Sequence, residues 1–259
     1  PSVLPITVTN TGTGPLTVTN VVSDHGNFVP DLTAFVVNAG ANVVFNVTFT
    51  PTATGALSQS LTFTHDAAGS PSVVTMTGTG TAPVFSVAPN PLAFGNVNVG
   101  TPSVLPITVT NTGTGPLTVS SIVSSHLNFV HDGTPIVLAA GANVVVNVTF
   151  TPTATGALSE SLTFTHDAAG SPSAVSMTGT GTAPVFSVDV DPLAFGNVNV
   201  GTPSVLPITV TNTGDGPLTV TSIVSSLGVF VPDLTGTPNI VLAAGVSQVV
   251  NVTFTPTAT

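Results

Sequence analysis

The most informative feature of the composition is what the chain lacks. Its 259 residues include no Lys, Arg, Cys, Trp or Tyr. Charged residues make up 4% of the chain, whereas an ordinary soluble domain has about 25%. Without cationic side chains the protein cannot neutralise a phosphate backbone, so nucleic-acid binding through a basic patch is excluded. Arg or Lys clamps for phosphoryl and carboxylate substrates are excluded as well. The absence of Cys removes disulfides and thiolate metal sites.

Long hydrophobic runs are also missing, although the mean hydropathy is positive. The most apolar segment, residues 136–140, ends at Gly141. No segment approaches the run of about 18 apolar residues that a membrane-spanning helix needs. We therefore predict no membrane span. The net charge of −10 comes entirely from acidic side chains.

The main feature of the sequence is a repeated segment of 20 residues, which we call the repeated phrase. The sequence GTPSVLPITVTNTGTGPLTV occupies residues 100–119 and returns at 201–220 with Asp215 in place of Thr114. The same phrase, without its first two residues, opens the chain at Pro1. The period of 101 residues is longer than that of solenoid coils, which is about 20–50 residues. It therefore predicts tandem domains: repeat 1 over 1–82, repeat 2 over 83–183 and repeat 3 over 184–259.

Each repeat has the pattern of short β-strands. Leu105, Ile107 and Val109 alternate with polar residues or proline, and Gly, Asn and Pro punctuate the segments between such runs. Thr and Val dominate, and both favour strands. About seven strands in 100 residues, with no helical periodicity, predict an all-β, immunoglobulin-like sandwich. The predicted inward side chains of repeat 2 are Phe85, Leu92, Phe94, Leu105, Ile107, Val109, Leu117, Val119, Val144, Val146, Val148, Phe150, Leu162, Phe164, Val175 and Met177.

The outer repeats do not match the central one in extent. Repeat 1 opens at the second predicted strand, and repeat 3 lacks the last two strands and carries three extra residues within 232–239. We expect the chain to be an excerpt of a longer array. The alternative is that neighbouring chains complete the open repeats by strand addition.

Several segments of the repeat, rich in Gly and Pro at their ends, resemble a known family. The stretches NPLAFGNVNVGT (90–101), LPITVTNTGTGPLTV (105–119), LAAGANVVVNVTFTPTATG (138–156), ESLTFTHDAAGSP (160–172) and MTGTGT (177–182) resemble the hydin and abnormal-spindle class of immunoglobulin-like domains. They are most similar to the tandem copies in bacterial "choice-of-anchor D" proteins. The resemblance implies seven-stranded sandwiches related to the major sperm protein fold, in large secreted or surface proteins without a catalytic role. The absence of Lys and Arg favours this branch over the cytoplasmic ciliary and centrosomal members.

Three His–Asp pairs are candidates for acid–base chemistry: His65-Asp66, His131-Asp132 and His166-Asp167. A carboxylate can orient a histidine base. However, adjacent side chains on an extended chain point apart, and no nucleophile motif accompanies them. We therefore interpret the pairs as solvated turns and predict no catalytic residues, no cofactor and no enzyme activity.

Two further groups of residues are candidates for a metal site and for glycosylation. Asp189 and Asp191 could contribute to a calcium site, but calcium requires six to eight oxygen ligands and repeat 2 has Ala88 and Asn90 at these positions. We therefore predict no metal site. Asn46, Asn147 and Asn251 each open an Asn-Val-Thr sequon. Their strand parity predicts that they face solvent, so they are candidate glycan acceptors.

The scarcity of charge also suggests a function. Surface charge normally keeps proteins apart, and charged edge strands normally prevent sheet-to-sheet pairing. We expect the chain to be a structural protein, a repetitive rod that self-associates into an extracellular or cell-surface fibre, filament or sheath. The alternative is a spacer stalk that presents an adhesive domain lying outside this sequence.

Overall fold

The computed structural model describes residues 1–234 and 239–258. The three extra residues of repeat 3 were placed within 232–239, of which residues 235–238 lie outside the described residues. The described residues form 22 β-strands and no helix. In particular, this part of the chain contains no helix long and apolar enough to cross a membrane.

The chain forms two compact units. The first comprises residues 1–84 with 112–117 and 139–141, and the second comprises 85–111, 118–138 and 142–259. Seven strands lie in the first unit: β1 (Ser2–Thr9), β2 (Leu16–Ser23), β3 (Phe28–Pro30), β4 (Phe35–Val37), β5 (Asn42–Phe49), β6 (Gly55–His65) and β7 (Ser72–Gly80). They form a sheet in the order β1-β5-β3 and a second sheet in the order β4-β2-β6-β7.

Repeat 2 contributes nine strands: β8 (Phe85–Ala88), β9 (Leu92–Asn98), β10 (Ser103–Asn111), β11 (Leu117–Ser124), β12 (Phe129–His131), β13 (Ile136–Leu138), β14 (Asn143–Phe150), β15 (Gly156–His166) and β16 (Ser173–Thr182). One sheet has the order β12-β14-β10-β8 and the other has the order β13-β11-β15-β16-β9. Phe94 of β9 contacts Phe129 and Phe150 of the facing sheet, so the two sheets pack as a sandwich.

Repeat 3 contributes β17 (Phe186–Val188), β18 (Ser204–Asn212), β19 (Leu218–Val220), β20 (Phe230–Pro232), β21 (Ile240–Leu242) and β22 (Ser247–Phe254). The order β17-β18-β22-β20 repeats that of the four-stranded sheet in repeat 2, and β19 pairs with β21. The antiparallel register between the two long strands is also repeated, because Ile107 faces Val146 in repeat 2 and Ile208 faces Val250 in repeat 3.

The predicted inward side chains form the core of repeat 2. Thirteen of them are buried, and Phe85, Leu105 and Val144 are half-buried. Phe129 is also buried, because it lies on the short strand β12 and stacks on Phe150 at 4.6 Å. An aromatic side chain buries a large apolar area, so this residue contributes substantially to the core.

The opening segment of repeat 2 is shared between the two sheets. β8 pairs antiparallel with β10, and β9 pairs parallel with β16 in the other sheet. The residues between them contain two cis peptide bonds, Ala88–Pro89 and Asn90–Pro91. The segment therefore divides into two strands, and each of them forms an edge of one sheet.

The turn of the repeated phrase is built around a buried asparagine. In repeat 1 the Asn10 amide Nδ2 donates to the backbone oxygens of Gly14 and Val37, and its Oδ1 accepts the N–H of Gly12. Asn212 makes the equivalent bonds to Gly216, Leu242 and Gly214. Because buried backbone groups need partners, this asparagine holds the turn against the neighbouring strand.

Candidate functional site

The His–Asp pairs do not assemble as catalytic groups. Oδ1 of Asp66 accepts the backbone N–H of Thr17 at 3.0 Å, and Oδ1 of Asp167 accepts that of Thr118 at 2.9 Å. The hydrogen bond from the Thr17 backbone lowers the pKa of Asp66 below its ordinary value. These aspartates therefore anchor the loop after β6 or β15 to the start of a neighbouring strand.

The histidine rings bond to serines instead. Nε2 of His65 lies 3.0 Å from Oγ of Ser72, and Nε2 of His166 lies 3.0 Å from Oγ of Ser173. Nδ1 of both rings is buried without a hydrogen-bond partner. A Ser–His dyad needs a third group on Nδ1 to orient the base, and among the described residues neither ring has one.

The third pair has a different structural role. Asp132 accepts the backbone N–H and the Nδ2 amide of Asn147, both at 2.8 Å. The side chain of Asn147 is the largest cause that lowers the pKa of Asp132. Asp31 holds Asn46 in the same way. The candidate acceptors Asn46, Asn147 and Asn251 are all exposed, and in the first two the amide nitrogen is already engaged by a carboxylate.

The candidate calcium residues do not form a cluster. Oδ1 of Asp189 accepts the backbone N–H of Thr209 at 2.7 Å, and this bond lowers the pKa of Asp189. Residues 1–234 and 239–258 contain no group of three or more His, Asp or Glu side chains arranged to hold a metal ion. Asp189 therefore binds the backbone of β18 at Thr209.

The most distinctive surface lies in repeat 1, along β7. In repeat 2 the equivalent strand β16 pairs with β15 on one side and β9 on the other. Within the described residues β7 pairs only with β6. Its free edge leaves Val74 42% exposed, whereas the equivalent Val175 is completely buried. We call the surface formed by the β7 edge and the two cavities described next the β7 groove.

Two cavities lie along this groove. The larger has a volume of about 510 Å³ and is lined by Phe28, Phe49 and Met76, among others. Their equivalents in repeat 2 contact Phe94 or lie beside β9. The smaller, of about 310 Å³, is lined by His65, Phe63 and Val74. In repeat 2, Phe85 packs against the equivalents of His65 and Phe63.

The linker residues that connect successive repeats make recurring backbone hydrogen bonds. The carbonyl oxygen of Ala82 accepts the N–H groups of Thr114 and Gly115, and that of Ala183 accepts those of Asp215 and Gly216. A side chain at Gly113 or Gly214 would collide with the same carbonyl. The glycines of the repeated turn are therefore required by the close approach of the linker backbone.

The two packed sheets without helices define the class of the protein, which is an immunoglobulin-like β-sandwich. The family model for abnormal spindle-like microcephaly-associated, ASPM-SPD-2-Hydin (ASH) domains matches residues 3–73 and 79–174. The chain belongs to the ASH family.

Solved structures show distant similarity. A protein of unknown function from Porphyromonas gingivalis W83 is 17% identical, with 69% of this chain and 90% of that chain covered and a TM-score of 0.35. The ASH/PapD-like domain 7 of human CEP192 is 12% identical, with 38% and 84% covered and a TM-score of 0.34. The CsuC–CsuE chaperone–adhesin complex of Acinetobacter baumannii is 9% identical, with 64% and 89% covered and a TM-score of 0.30. The comparison with curated proteins finds no match.

Proposed function

We propose that this chain is a structural protein, a repetitive rod that self-associates into an extracellular or cell-surface fibre, filament or sheath. In this proposal the chain is a tandem array of seven-stranded, major-sperm-protein-related sandwiches with a period of 101 residues. Its relatives are then the secreted proteins of the choice-of-anchor D type.

The observation that carries the proposal is the recurrence of the linker contacts. Ala82 and Ala183 each bind two consecutive N–H groups of a turn in the following repeat. The Ala183 N–H donates to Oδ1 of Asp215 at 2.7 Å, and at the equivalent position the Ala82 N–H donates to the hydroxyl oxygen of Thr114 at 3.3 Å. Short linkers that are hydrogen-bonded in this way favour stiff connections, as a fibre or stalk requires.

The outer face of one sheet in each repeat supports self-association. Val104 and Val130 both flank Thr149 in the register of β10, β14 and β12. These valines, with Val145, each expose more than half of their surface. Equivalent exposed valines recur in the other repeats: Val3, Val29, Val44, Val205, Val231 and Val249. Repeated exposed apolar side chains are typical of interaction faces.

Electron microscopy and light scattering of the purified chain test the proposal. We expect concentration-dependent association into filaments with a regular axial spacing. The double variant Val104→Asp/Val145→Asp adds negative charge to the exposed face of a chain whose net charge is already −10, and it should reduce association because like charges repel across a self-complementary contact. A monodisperse monomer at high concentration would contradict self-association.

A matched control separates the face from total charge. Ala140→Asp/Ala169→Asp adds the same two charges at exposed turn positions and should leave association nearly unchanged. Equal effects of the two double variants would indicate general charge repulsion instead of a specific face. The stalk alternative predicts that the unmodified chain stays monomeric in both assays.

A further inference from the structure

We propose that Asn98 couples repeat 2 to repeat 3, so that the hydrogen-bonded linker between them keeps its geometry only while the opening segment of repeat 2 is paired. The inference rests on the proposed function for its meaning in a rod, and it names the residue that positions one junction of that rod. Every residue of this contact belongs to the second compact unit.

Repeat 2 holds the first residue of the contact, Thr182, through its opening segment. Thr182 is the last residue of β16 and lies opposite Asn98, the last residue of β9, in the parallel pairing of these strands. The Thr182 hydroxyl donates to Oδ1 of Asn98 at 3.0 Å, and the Thr182 carbonyl oxygen accepts the N–H of Val99 at 2.8 Å. The position of the buried Thr182 therefore depends on β9.

The turn of repeat 3 binds the next residue, Ala183. The Ala183 carbonyl oxygen accepts the N–H groups of Asp215 and Gly216 at 3.1 and 3.0 Å, and the Ala183 N–H donates to Oδ1 of Asp215. Two consecutive residues are thus bound by opposite repeats. Ordering a backbone residue costs conformational entropy, so the bonds at Ala183 form more readily when Thr182 is already fixed.

Asn98 also contacts the turn of repeat 3 directly. A Cβ built on the buried Gly216 would lie 2.5 Å from Oδ1 of Asn98. The glycine therefore leaves room for this oxygen beside its Cα. One side-chain oxygen accepts a hydrogen bond from the end of repeat 2 and packs on the turn of repeat 3, which joins the two repeats at a single point.

A cavity separates the two repeats beside this contact. Its volume is about 420 Å³, and its lining includes Asn96 and Ser103 of repeat 2 with Pro217 and Ala244 of repeat 3. Side chains on opposite walls of a cavity lose the packing contacts that they would otherwise make. The geometry of the junction on this side therefore depends on the hydrogen bonds of the linker and on Asn98.

This arrangement makes the neighbouring repeats interdependent. In a tandem array, each interface between neighbours contributes its own term to stability, and coupling between two sites is reciprocal. The opening segment of repeat 2 therefore stabilises the turn of repeat 3, and that turn stabilises the opening segment. In a rod of this type, a junction is stiff only when the opening segment of the preceding repeat is in place.

Amide hydrogen exchange of the full chain, resolved by NMR, measures the coupling because it reports local opening. Asn98→Ala should raise the exchange rates of the Asp215 and Gly216 N–H groups roughly fivefold, which corresponds to the net contribution of one hydrogen bond. Both of these N–H groups bind Ala183, not Asn98, so the effect must pass through the linker or the Gly216 contact. Unchanged rates would overturn the proposal.

Asp215→Ala provides the reciprocal measurement. It removes the bond to the Ala183 N–H and should raise the exchange rate of the Val99 N–H in repeat 2. The double variant Asn98→Ala/Asp215→Ala should raise each rate by less than the product of the two single effects, because both substitutions break the same contact. A rate at Val99 that does not respond, or effects that multiply, would show that the repeats are independent.

Gly216→Ala tests the direct contact. The added Cβ displaces Oδ1 of Asn98 and should raise the exchange rates of the same two N–H groups of the turn. In the Asn98→Ala background, where that oxygen is absent, Gly216→Ala should have a much smaller effect. An equal effect in both backgrounds would contradict a role for the Asn98 contact.

Two controls separate coupling from a general loss of stability. Val175→Ala leaves a cavity in the core of repeat 2, where Val175 is completely buried, and Asn96→Ala changes an exposed neighbour on β9. Both should leave the exchange rates of the Asp215 and Gly216 N–H groups nearly unchanged. If Val175→Ala raised them as much as Asn98→Ala does, the effect would reflect stability alone and the proposal would fail.

The outcomes also distinguish this inference from the proposed function. Filaments whose exchange rates at the turn do not depend on Asn98 would overturn the inference and leave the proposed function intact. A chain that never associates, but in which Asn98→Ala loosens the turn of repeat 3, would support the coupling and contradict the fibre.

Discussion

The imidazole ring of His166 lies flat against the ring of Phe85, with centroids 4.3 Å apart and planes inclined by 6°. Burial lowers the pKa of His166 below its ordinary value of 6.5. The neighbouring charged group is Asp167, which acts in the opposite direction but less strongly. The folded repeat therefore favours the neutral ring, and its charged form is favoured more in the unfolded chain.

This relationship predicts that repeat 2 loses stability as the pH falls below about 6.5, because the unfolded chain then binds the proton more readily. The loss is limited to about 1.4 kcal/mol per pH unit for one proton. Chemical unfolding between pH 7.5 and 5 measures it. His166→Gln should remove most of the slope. His65→Gln, at the equivalent position without a stacked ring, should retain it, and equal effects of the two would contradict this explanation.

Asp132 should contribute to stability mainly above its ordinary pKa of 3.8. Asn147 donates two hydrogen bonds to the ionised form, and these bonds lower the pKa of Asp132. Asp132→Ala should lower the unfolding midpoint at pH 7. The difference from the unmodified chain should shrink as the pH falls below 3.8, because protonation weakens the same bonds. A difference that is constant from pH 7 to pH 2 would show that charge is not involved.

The two repeats should respond differently to the same glycine substitution. A Cβ at Gly179 would lie 2.5 Å from Cε1 of Phe150, and one at Gly78 would lie 2.6 Å from Cε1 of Phe49. Phe150 is completely buried, whereas Phe49 borders the larger cavity. Gly179→Ala should therefore cost about 1–3 kcal/mol, and Gly78→Ala should cost less because Phe49 can move. Calorimetry that finds equal costs would show that the groove does not relieve the clash.

Substitution of Asn10 should lower the stability of the fold more than substitution of an exposed residue on β1, the strand that precedes it. Asn10→Ala leaves the Gly14 and Val37 oxygens and the Gly12 N–H without their partner. The bond to Val37 is buried and the other two are part-buried. An unsatisfied buried polar group costs about 1–3 kcal/mol, so we expect a loss of roughly 2 kcal/mol. Thr7→Ala, at an exposed position of β1, should have a small effect on stability. Denaturant midpoints compare the two, and a similar small effect of both would contradict the assigned role.

Much of the core could be predicted because its signals are local. Alternation along single strands identified Ile107, Val109 and Val148, all of which are buried. The period of the repeat identified equivalent positions, so the register of β10 and β14 recurs in repeat 3. Such patterns reflect the two-residue periodicity of a strand with one buried face.

The remaining features depend on contacts between distant residues. Asp66 and Asp167 are bound by backbone N–H groups 49 residues away, which no local pattern reveals. The β7 groove is defined by comparison of two repeats, since Val74 and Val175 are the same residue type in nearly the same local sequence. The sequence could not indicate that Phe28 and Phe49 keep the stacking geometry of Phe129 and Phe150.

The division of the opening segment between two sheets has a consequence for biosynthesis. The hydroxyl of Thr182 donates to Oδ1 of Asn98 across 84 residues, and β9 pairs only with β16 in its sheet. On a ribosome that adds about 5–20 residues per second, β9 emerges several seconds before its edge partner is made. During that interval the nascent chain holds an apolar segment next to an unfinished sheet, and the opening segments of successive repeats have closely similar sequences. For correct assembly, each opening segment must stay unpaired until the last strand of its own repeat has been synthesised. The order of synthesis therefore helps to determine which opening segment pairs with which last strand.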